Sequence, residues 1–245
     1  MHSIDSSARR LPGPLRALEH RSFRLYFLGQ AVSILGSWIQ QVAMAWLVYR
    51  LTGSAALLGV TAFAALIPQL LVGPLAGAWI DKHDKRRWLM RVQGLLAAQA
   101  LALAGLTWMG WVGPGLLVVM ALLLGVLNSF DTPLRQSLIS VFVERREDLP
   151  NALALNAMLF NTGRFVGPPV AGLLLGLTSE AACFALNAFS FVALFVAVAS
   201  VQVPATPRAE GSVGDVFKEG LAYAWHTWQV RMLIIVLMAL NLTAS

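Results

Sequence analysis

A long uncharged run that ends at a short basic cluster most constrains the fold of this chain. No charged residue occurs in Leu51–Ile80, and the run is followed directly by the cluster Asp81–Arg87. A charge-free stretch of this length can cross a bilayer as a helix, which needs about 20 apolar residues. Lys and Arg placed directly after a span stay on the cytoplasmic side. The pattern therefore predicts a membrane-spanning helix that ends in the cytoplasm.

The composition extends this prediction to the whole chain. Of 245 residues, 58% are hydrophobic and 12% are charged, whereas about a quarter of the residues in a soluble domain are charged. Lipid is therefore the expected solvent. The net charge of +6 resides in segments between apolar runs, so topology explains it and we expect no nucleic-acid partner.

The sequence contains no pattern of an enzyme, a metal site or a cofactor site. The single cysteine, Cys183, lies in an apolar segment, and no His/Cys cluster has metal-ligand spacing. Neither a phosphate-binding loop nor a catalytic triad is recognisable. The apolar stretch after the N-terminal arginines is too long for a cleavable signal, so we interpret it as a retained first span.

Hydropathy and turn signals divide the chain into a helical membrane domain and flanking segments. We predict an N-terminal cytoplasmic arm (1–24), a six-span domain (25–202), a linker with an amphipathic helix (203–230), for which a linker helix packed on protein is the alternative, and the start of a seventh span (231–245). The six spans are expected at 25–50, 54–80, 88–110, 114–141, 149–177 and 181–202.

Basic residues outside the spans are confined almost entirely to one side. They lie in the N-terminal arm, in the loops after spans two and four, and after span six, whereas Arg50 alone lies on the opposite side. This bias predicts a cytoplasmic N-terminus in a plasma membrane, which for a bacterium is the inner membrane. Similar Val-Gly-Pro segments at Val72 and Val166 occupy the second span of two successive three-span sets, as in inverted repeats of transporters.

Two charged residues in span four and one in span five are candidates for function. Asp131 and Arg135 are four residues apart, so they share a helix face and can pair. They are either a gating latch or a structural clasp for the ends of spans two to four. Arg164 has no acid at its depth in span five, and Asn161 lies one turn before it. A guanidinium there requires water, an anionic ligand or a partner charge. We expect Arg164 and Asn161 to contact substrate or a gate; a structural hydrogen bond is the alternative.

Span one has a polar stripe, and span five has a ridge of small residues. The stripe favours a cavity wall, with close helix packing as the alternative; Asn187 on span six is a similar candidate. The ridge with its prolines favours a hinge, with a static kink as the alternative. The stripe consists of Gln30, Ser33, Ser37, Gln40 and Gln41, and the ridge of Gly163, Gly167 and Ala171 with Pro168 and Pro169.

These segments resemble motifs of the major facilitator superfamily. The loop between spans two and three resembles motif A, although Asp84 stands where a Gly is usual. The matching residues are Gly77, Asp81, Lys82, Lys85, Arg86 and Arg87. Motif C, which is associated with exporters and antiporters, is resembled by Gly163, Gly167, Pro168 and Gly172. Asp131-Thr-Pro-Leu-Arg135, with Leu149-Pro-Asn-Ala and Asn156, is similar to the branch that includes enterobactin exporters.

The resemblance implies an all-α membrane protein with two six-helix halves and alternating access. This chain would supply the N-terminal half, built of 3+3 inverted repeats, and the start of helix seven. The motif A residues, joined by Asp131 and Arg135, would latch one state. We expect an exporter of siderophores or drug-like molecules, coupled to an ion, most simply the proton, and completed by a C-terminal half. The alternative is a truncated fragment or a membrane scaffold that does not transport.

Overall fold

Residues 13–201 of the chain form six long helices and two short 3-10 turns. The computed structural model describes residues 13–201, 223, 225–233 and 236. The helices are α1 (Arg21–Thr52), α2 (Ala55–Ile80), α3 (Lys85–Trp108), α4 (Pro114–Phe142), α5 (Leu149–Leu177) and α6 (Glu180–Ala199), with 3-10 turns at Gly13–Glu19 and Arg146–Asp148. The described residues include no strand, so the all-α prediction is confirmed. The predicted linker and seventh span lie mostly outside the described residues.

Five of the six long helices are apolar enough and long enough to cross a membrane. The exception is α5, which has 29 residues but carries Asn151, Asn156, Asn161 and Arg164 along its length. Its polarity, rather than its length, therefore separates it from the other predicted spans. A helix of this kind needs protein or water beside it, because hydrocarbon cannot satisfy its polar side chains.

Local sequence signals set the ends of the helices. Gly53 adopts a left-handed conformation with φ of 60°, and its N–H bonds to the carbonyl of Tyr49 to end α1. The hydroxyl of Ser54 then accepts a hydrogen bond from the N–H of Leu57 and caps α2. Gly110, with φ of 71°, lies in the turn after α3. These residues make the tight reversals that a bundle of adjacent helices requires.

The arrangement of neighbours is preserved when α1–α3 are exchanged with α4–α6. Helix α1 packs on α5 and α6, and α4 correspondingly packs on α2 and α3, while α3 and α6 pack on each other. Helix α1 also contacts α2 and α4, so it has the most neighbours in the bundle. This relation is the one expected of two inverted three-helix repeats.

The small-residue ridge of α5 lies directly against α1. A Cβ added to Gly163 would collide with Ile34, and one added to Gly167 would collide with Trp38. Gly172 lies on the same helix, but no described atom is within 4 Å of the position of its Cβ. The ridge therefore packs closely at both of its glycines, and its third member, Ala171, is fully buried. Whether it also acts as a hinge stays a prediction.

A further contact, which the sequence did not indicate, connects the first 3-10 turn to the start of α5. The backbone N–H of Ala17 donates to Asn151 Oδ1 at 2.9 Å. His20 Nε2 lies 3.0 Å from Asp148 Oδ2, and Arg16 lies 3.4 Å from the other oxygen of that carboxylate. The hydrogen bond with His20, together with the charge of Arg16, lowers the pKa of Asp148. The segment before α1 is thus fixed to the α4–α5 loop.

The contact of α5 with α1 predicts different effects for two glycine substitutions. Gly167→Ala should lower the free energy of unfolding by about 1–3 kcal/mol, because overpacking forces neighbouring atoms to shift. Gly172→Ala in the same helix should have a much smaller effect. Thermal unfolding of the purified protein in one detergent checks this; equal melting temperatures for the two variants would contradict the close packing.

Candidate functional site

A cavity with a mainly apolar wall and a set of polar side chains, called the polar cavity below, lies between α1, α2, α4 and α6. Its volume is about 350 Å³. Four of the predicted cavity residues line it, namely Ser37, Gln40, Gln41 and Asn187. The other polar residues of the wall are Thr61 and Gln69 of α2 and Asn128 of α4, and the rest of the wall is apolar. A mixed wall of this type can bind a molecule that is largely apolar and has a few hydrogen-bonding groups.

A hydrogen-bonded chain of amides crosses the bundle behind this cavity. Asn187 Nδ2 donates to Gln40 Oε1 at 2.7 Å, and Gln40 Nε2 donates to Gln99 Oε1 at 3.3 Å. Gln99 Nε2 in turn donates to the carbonyl of Met120 at 3.2 Å. The chain joins α6, α1, α3 and α4. Because these groups are buried and satisfy one another, they hold the cavity wall in one arrangement.

A smaller pocket of about 210 Å³ adjoins the cavity. The two share four lining residues, Ser37, Gln41, Gln69 and Asn128. Asp131 and Arg135 lie in the wall of the smaller pocket. A buried ion pair therefore borders a polar space that is continuous with the main cavity through its shared wall.

Helices α1 and α3 hold this ion pair from two sides. Arg135 Nε donates to Asp131 Oδ2 at 2.6 Å, and Gln93 Nε2 donates to the other carboxylate oxygen at 2.5 Å. Arg135 Nη2 donates to Ser33 Oγ at 2.9 Å, and the hydroxyl of Tyr26 donates to the carbonyl of Arg135 at 3.0 Å. All the side chains involved are buried. Such a pair is stable only while each charge keeps its partners.

The polar stripe of α1 divides between two roles. Ser37 and Gln41 are exposed and line both pockets. Gln30, Ser33 and Gln40 are buried and bond to other helices; Gln30 Nε2 donates to Asn156 Oδ1 of α5 at 2.9 Å. Only part of the stripe is therefore available to a ligand in this conformation.

The structure does not bring the α5 candidates to either pocket. Asn161 donates to the carbonyl of Ala157 in its own helix at 2.8 Å. Arg164 is exposed and makes no hydrogen bond or ion pair with any described residue. Because Gly163 and Gly167 face α1, Arg164 projects from another face of α5. Its predicted contact with substrate or a gate stays a prediction.

The motif A residues form local contacts that are separate from the ion pair. Asp81 binds Lys85 at 2.9 Å, and Arg86 donates to the carbonyls of Val198 and Ala199 at the end of α6 at 3.0 and 2.7 Å. No hydrogen bond or ion pair between described residues joins this loop to Asp131 or Arg135. The predicted common latch of the two groups stays a prediction.

Three residues in and beside motif A have local environments that the structure describes, namely Asp84, Lys82 and Gly77. Asp84 has φ of −66° and its side chain accepts a hydrogen bond from the N–H of Arg87, so it caps α3. A residue with this φ needs no glycine. Lys82 is half-buried, and a Cβ added to Gly77 would meet no described atom within 4 Å. The α2–α3 turn thus accommodates Asp84 without strain.

Gln93 and Gln99 were not among the predicted site residues. They are six residues apart, so they do not form a stripe on one helix face and gave no periodic signal. The available signal was weaker: each is an amide within an apolar span, where an unpaired amide is unfavourable. A search for single polar residues in spans, without regard to spacing, would have found both.

The comparisons with known proteins agree with one another on the kind of protein that this chain resembles. The model of a family described as transmembrane secretion effector, of the major facilitator type, matches residues 12–245. The staphyloferrin A transporter of Staphylococcus aureus is 29% identical over 71% of this chain and 43% of its own length. Macrolide efflux protein A of Streptococcus pyogenes is 25% identical over 74% of this chain and 45% of its own length. The multidrug efflux pump Tap of Mycolicibacterium fortuitum is 28% identical over 82% and 51%, respectively.

The chain spans about half the length of these relatives. The relatives are transporters and efflux proteins rather than enzymes, which agrees with the absence of an enzymatic motif in the sequence.

The buried ion pair predicts a large loss of stability when one partner is removed. Arg135→Gln should lower the free energy of unfolding by about 3–5 kcal/mol, because the Asp131 carboxylate stays buried without its counter-charge. The double variant with Asp131→Asn should recover most of the loss. Thermal and chemical unfolding in one detergent measure both effects.

Arg50→Gln is the matched control, because Arg50 pairs with Glu180 at 2.7 Å but is half-exposed. Its loss should be about 1 kcal/mol or less. Losses that simply add in the Asp131/Arg135 double variant would contradict the coupling of the two side chains.

Proposed function

Because the chain belongs to the transmembrane secretion effector family of the major facilitator superfamily, we propose that it forms the N-terminal half of a secondary active exporter of small molecules. The chain is an integral, multi-pass membrane protein, with five helices of membrane-spanning length and apolarity. The proposal places it in a bacterial inner membrane with its N-terminus in the cytoplasm, because its basic residues lie on that side.

The observation that carries the proposal is a polar cavity built from the membrane helices themselves. Its wall contains amide and hydroxyl groups at the middle of α1, α2, α4 and α6. Polar side chains at this depth are costly unless they face water or a protein partner, and they commonly mark a pathway for a solute or an ion. A cavity of about 350 Å³ lies within the range of pockets that hold small molecules.

The exposed faces of the bundle support a second half opposite the first. Large apolar side chains of α2 are strongly exposed, for example Leu70 at 75%. Arg164 and Asn161 of α5 are exposed as well. Lipid can cover the apolar face but not Arg164. In our proposal a C-terminal half covers α5 and closes the cavity, and the two halves rock to give alternating access.

The chemistry of the cavity supports an amphiphilic substrate. Neutral amides, among them Gln41 and Gln69, alternate with apolar residues such as Met44 and Leu66. Arg135 at the wall of the adjoining pocket adds a donor for carboxylate or phenolate oxygens. Siderophores or drug-like compounds would fit this set of groups. The names of the relatives, a staphyloferrin A transporter and macrolide and multidrug efflux proteins, support the same classes.

Asp131 is the residue that we propose for coupling to the proton. It is the one carboxylate well inside a membrane helix among the described residues. Protonation would remove the charge that holds Arg135 Nε at 2.6 Å and would release the guanidinium toward the pocket. The Gln93 amide can follow this change, since its Oε1 is buried without a hydrogen-bond partner and could accept from a protonated carboxyl group after rotation.

The motif residues would serve the change of state. Asp81 and the neighbouring bases would stabilise one state through contacts at the basic end of the bundle. The Gly163–Gly172 segment would adjust the packing of α5 on α1, because Pro168 and Pro169 remove two backbone donors within the helix. Both roles rest on the resemblance and on these local contacts.

Substitution of Asp131 tests the coupling directly. Asp131→Asn in the protein expressed from its intact gene should abolish export driven by a proton gradient, because the amide cannot exchange a proton. Binding of substrate should persist. Uptake of a fluorescent substrate into inside-out vesicles, with and without an imposed pH gradient, measures export at equal expression.

Glu180→Gln is the matched control, since Glu180 is an acid at the first turn of α6 outside the cavity. Its export should stay within about twofold of wild type, because the pair of Glu180 with Arg50 takes no part in the cavity wall. Gradient-dependent export by Asp131→Asn at the rate of the control would refute Asp131 as the coupling group. Failure of the wild type to export both siderophores and hydrophobic drugs would refute the proposed export function itself.

A further inference from the structure

A second, apolar groove lies between α2 and α3, with α4 as its floor. Its volume is about 490 Å³. It is formed by Val72, Leu75, Ala76 and Trp79 of α2, by Trp88, Val92 and Leu95 of α3, and by Val126, Leu127 and Phe130 of α4. No residue of the polar cavity or of the adjoining pocket takes part in it.

The groove and the polar cavity lie on different faces of α4. The groove residues Val126 and Phe130 are one helical turn apart, and the cavity residue Asn128 is nearly opposite both of them on the helix. A second half that closes the polar cavity therefore leaves the groove on the outside of the protein. Leu75 and Leu95 in its walls are 48% and 54% exposed, so no described residue covers them.

Aromatic rings and cations form one end of the groove. The Trp79 and Trp88 rings meet edge to face at 4.3 Å between centroids, and His83 stacks on Trp79 at 4.0 Å. The guanidinium carbon of Arg91 lies 4.7 Å from the centroid of the Trp88 ring. Tryptophan rings are typical of the depth at which lipid headgroups meet the acyl chains. This end of the groove is therefore the headgroup end.

Two cations beside this end are free to bind an anion. Lys85 pairs with Asp81, and Arg87 pairs with Asp84. Arg91 and Lys82, by contrast, make no ion pair with any described residue. Arg91 follows Trp88 by three residues, so the two share the face of α3 that borders the groove. The groove thus combines an apolar channel with an uncompensated positive charge at one end.

We propose that this groove binds one anionic phospholipid, with an acyl chain along α2 and α3 and the phosphate at Arg91. The apolar lining suits a hydrocarbon chain, and a guanidinium matches phosphate oxygens by its forked donors. A transported molecule is a poorer occupant, because the lining offers almost no polar side chain to orient it. Basic pockets beside membrane helices are a general means of recognising lipid headgroups.

Two pairs of substitutions test the headgroup end and the acyl-chain channel separately. Arg91→Gln removes the proposed phosphate ligand, and Arg87→Gln removes a similarly placed arginine that is paired with Asp84. Leu95→Trp fills the channel, and Leu101→Trp places the same ring at a lipid-facing position of α3 outside the groove. Leu101 is exposed to almost the same extent, 51%.

The measurement is the lipid that stays bound to the purified protein. Each variant, expressed from its intact gene, is taken as the folded peak from gel filtration and equilibrated with equal amounts of dioleoylphosphatidylglycerol and dioleoylphosphatidylcholine. Native mass spectrometry then counts each lipid. Wild type should retain the glycerol lipid about fivefold over the choline lipid, the effect of one base acting on an anionic headgroup.

The expected pattern distinguishes the groove from general basicity. Arg91→Gln should remove the preference, and Leu95→Trp should reduce retention of both lipids, while Arg87→Gln and Leu101→Trp behave as wild type. Equal retention of both lipids by wild type, or equal effects of Arg91→Gln and Arg87→Gln, would overturn the site. Unchanged retention in Leu95→Trp would overturn it too, for instance if another part of the protein covers the groove. None of these outcomes depends on transport.

Discussion

Hydrocarbon offers no hydrogen-bond partner, and this constraint organises the bundle. Each polar side chain within a span must find its partner in the protein or in a water-filled space. Gln40, Gln99 and Asn187 satisfy one another in a chain across four helices. Other polar groups, among them Ser37, Gln41 and Asn128, line a common cavity. The polar side chains that the bundle must accommodate thus also line a space large enough for a small molecule.

Helix α4 shows how one element serves both environments. Its cavity face carries Asn128, Asp131 and Arg135, and the ion pair there is held by α1 and α3. Its other face, with Val126 and Phe130, is the floor of an apolar groove. A change of charge at Asp131 would alter contacts to two other helices at once. The pair lies between a polar space and a packed core, which is the position that the proposed coupling role requires.

Sequence reasoning gave the helices and the family accurately, because both depend on local patterns. Hydropathy and turn signals define the helices, and the loop motif after α2 indicates the family that the comparison supports. The partners of the polar stripe on α1 could not be predicted. Helix α1 is the central helix, so Gln30, Ser33 and Gln40 meet α5, α4 and α3, respectively. Such partners depend on long-range packing, to which periodicity within one helix is insensitive.

The most direct test of the account is whether water reaches the polar cavity in a bilayer. Ser37→Cys, in a background with Cys183→Ala, places a thiol in the cavity wall, and Leu101→Cys places one on the lipid-facing side of α3. Thiols react as thiolates, which require water, so a membrane-impermeant maleimide applied from both sides should label Ser37→Cys and leave Leu101→Cys unlabelled. An unreactive cysteine at position 37 in the folded protein, or equal labelling at both positions, would contradict the existence of an aqueous binding cavity.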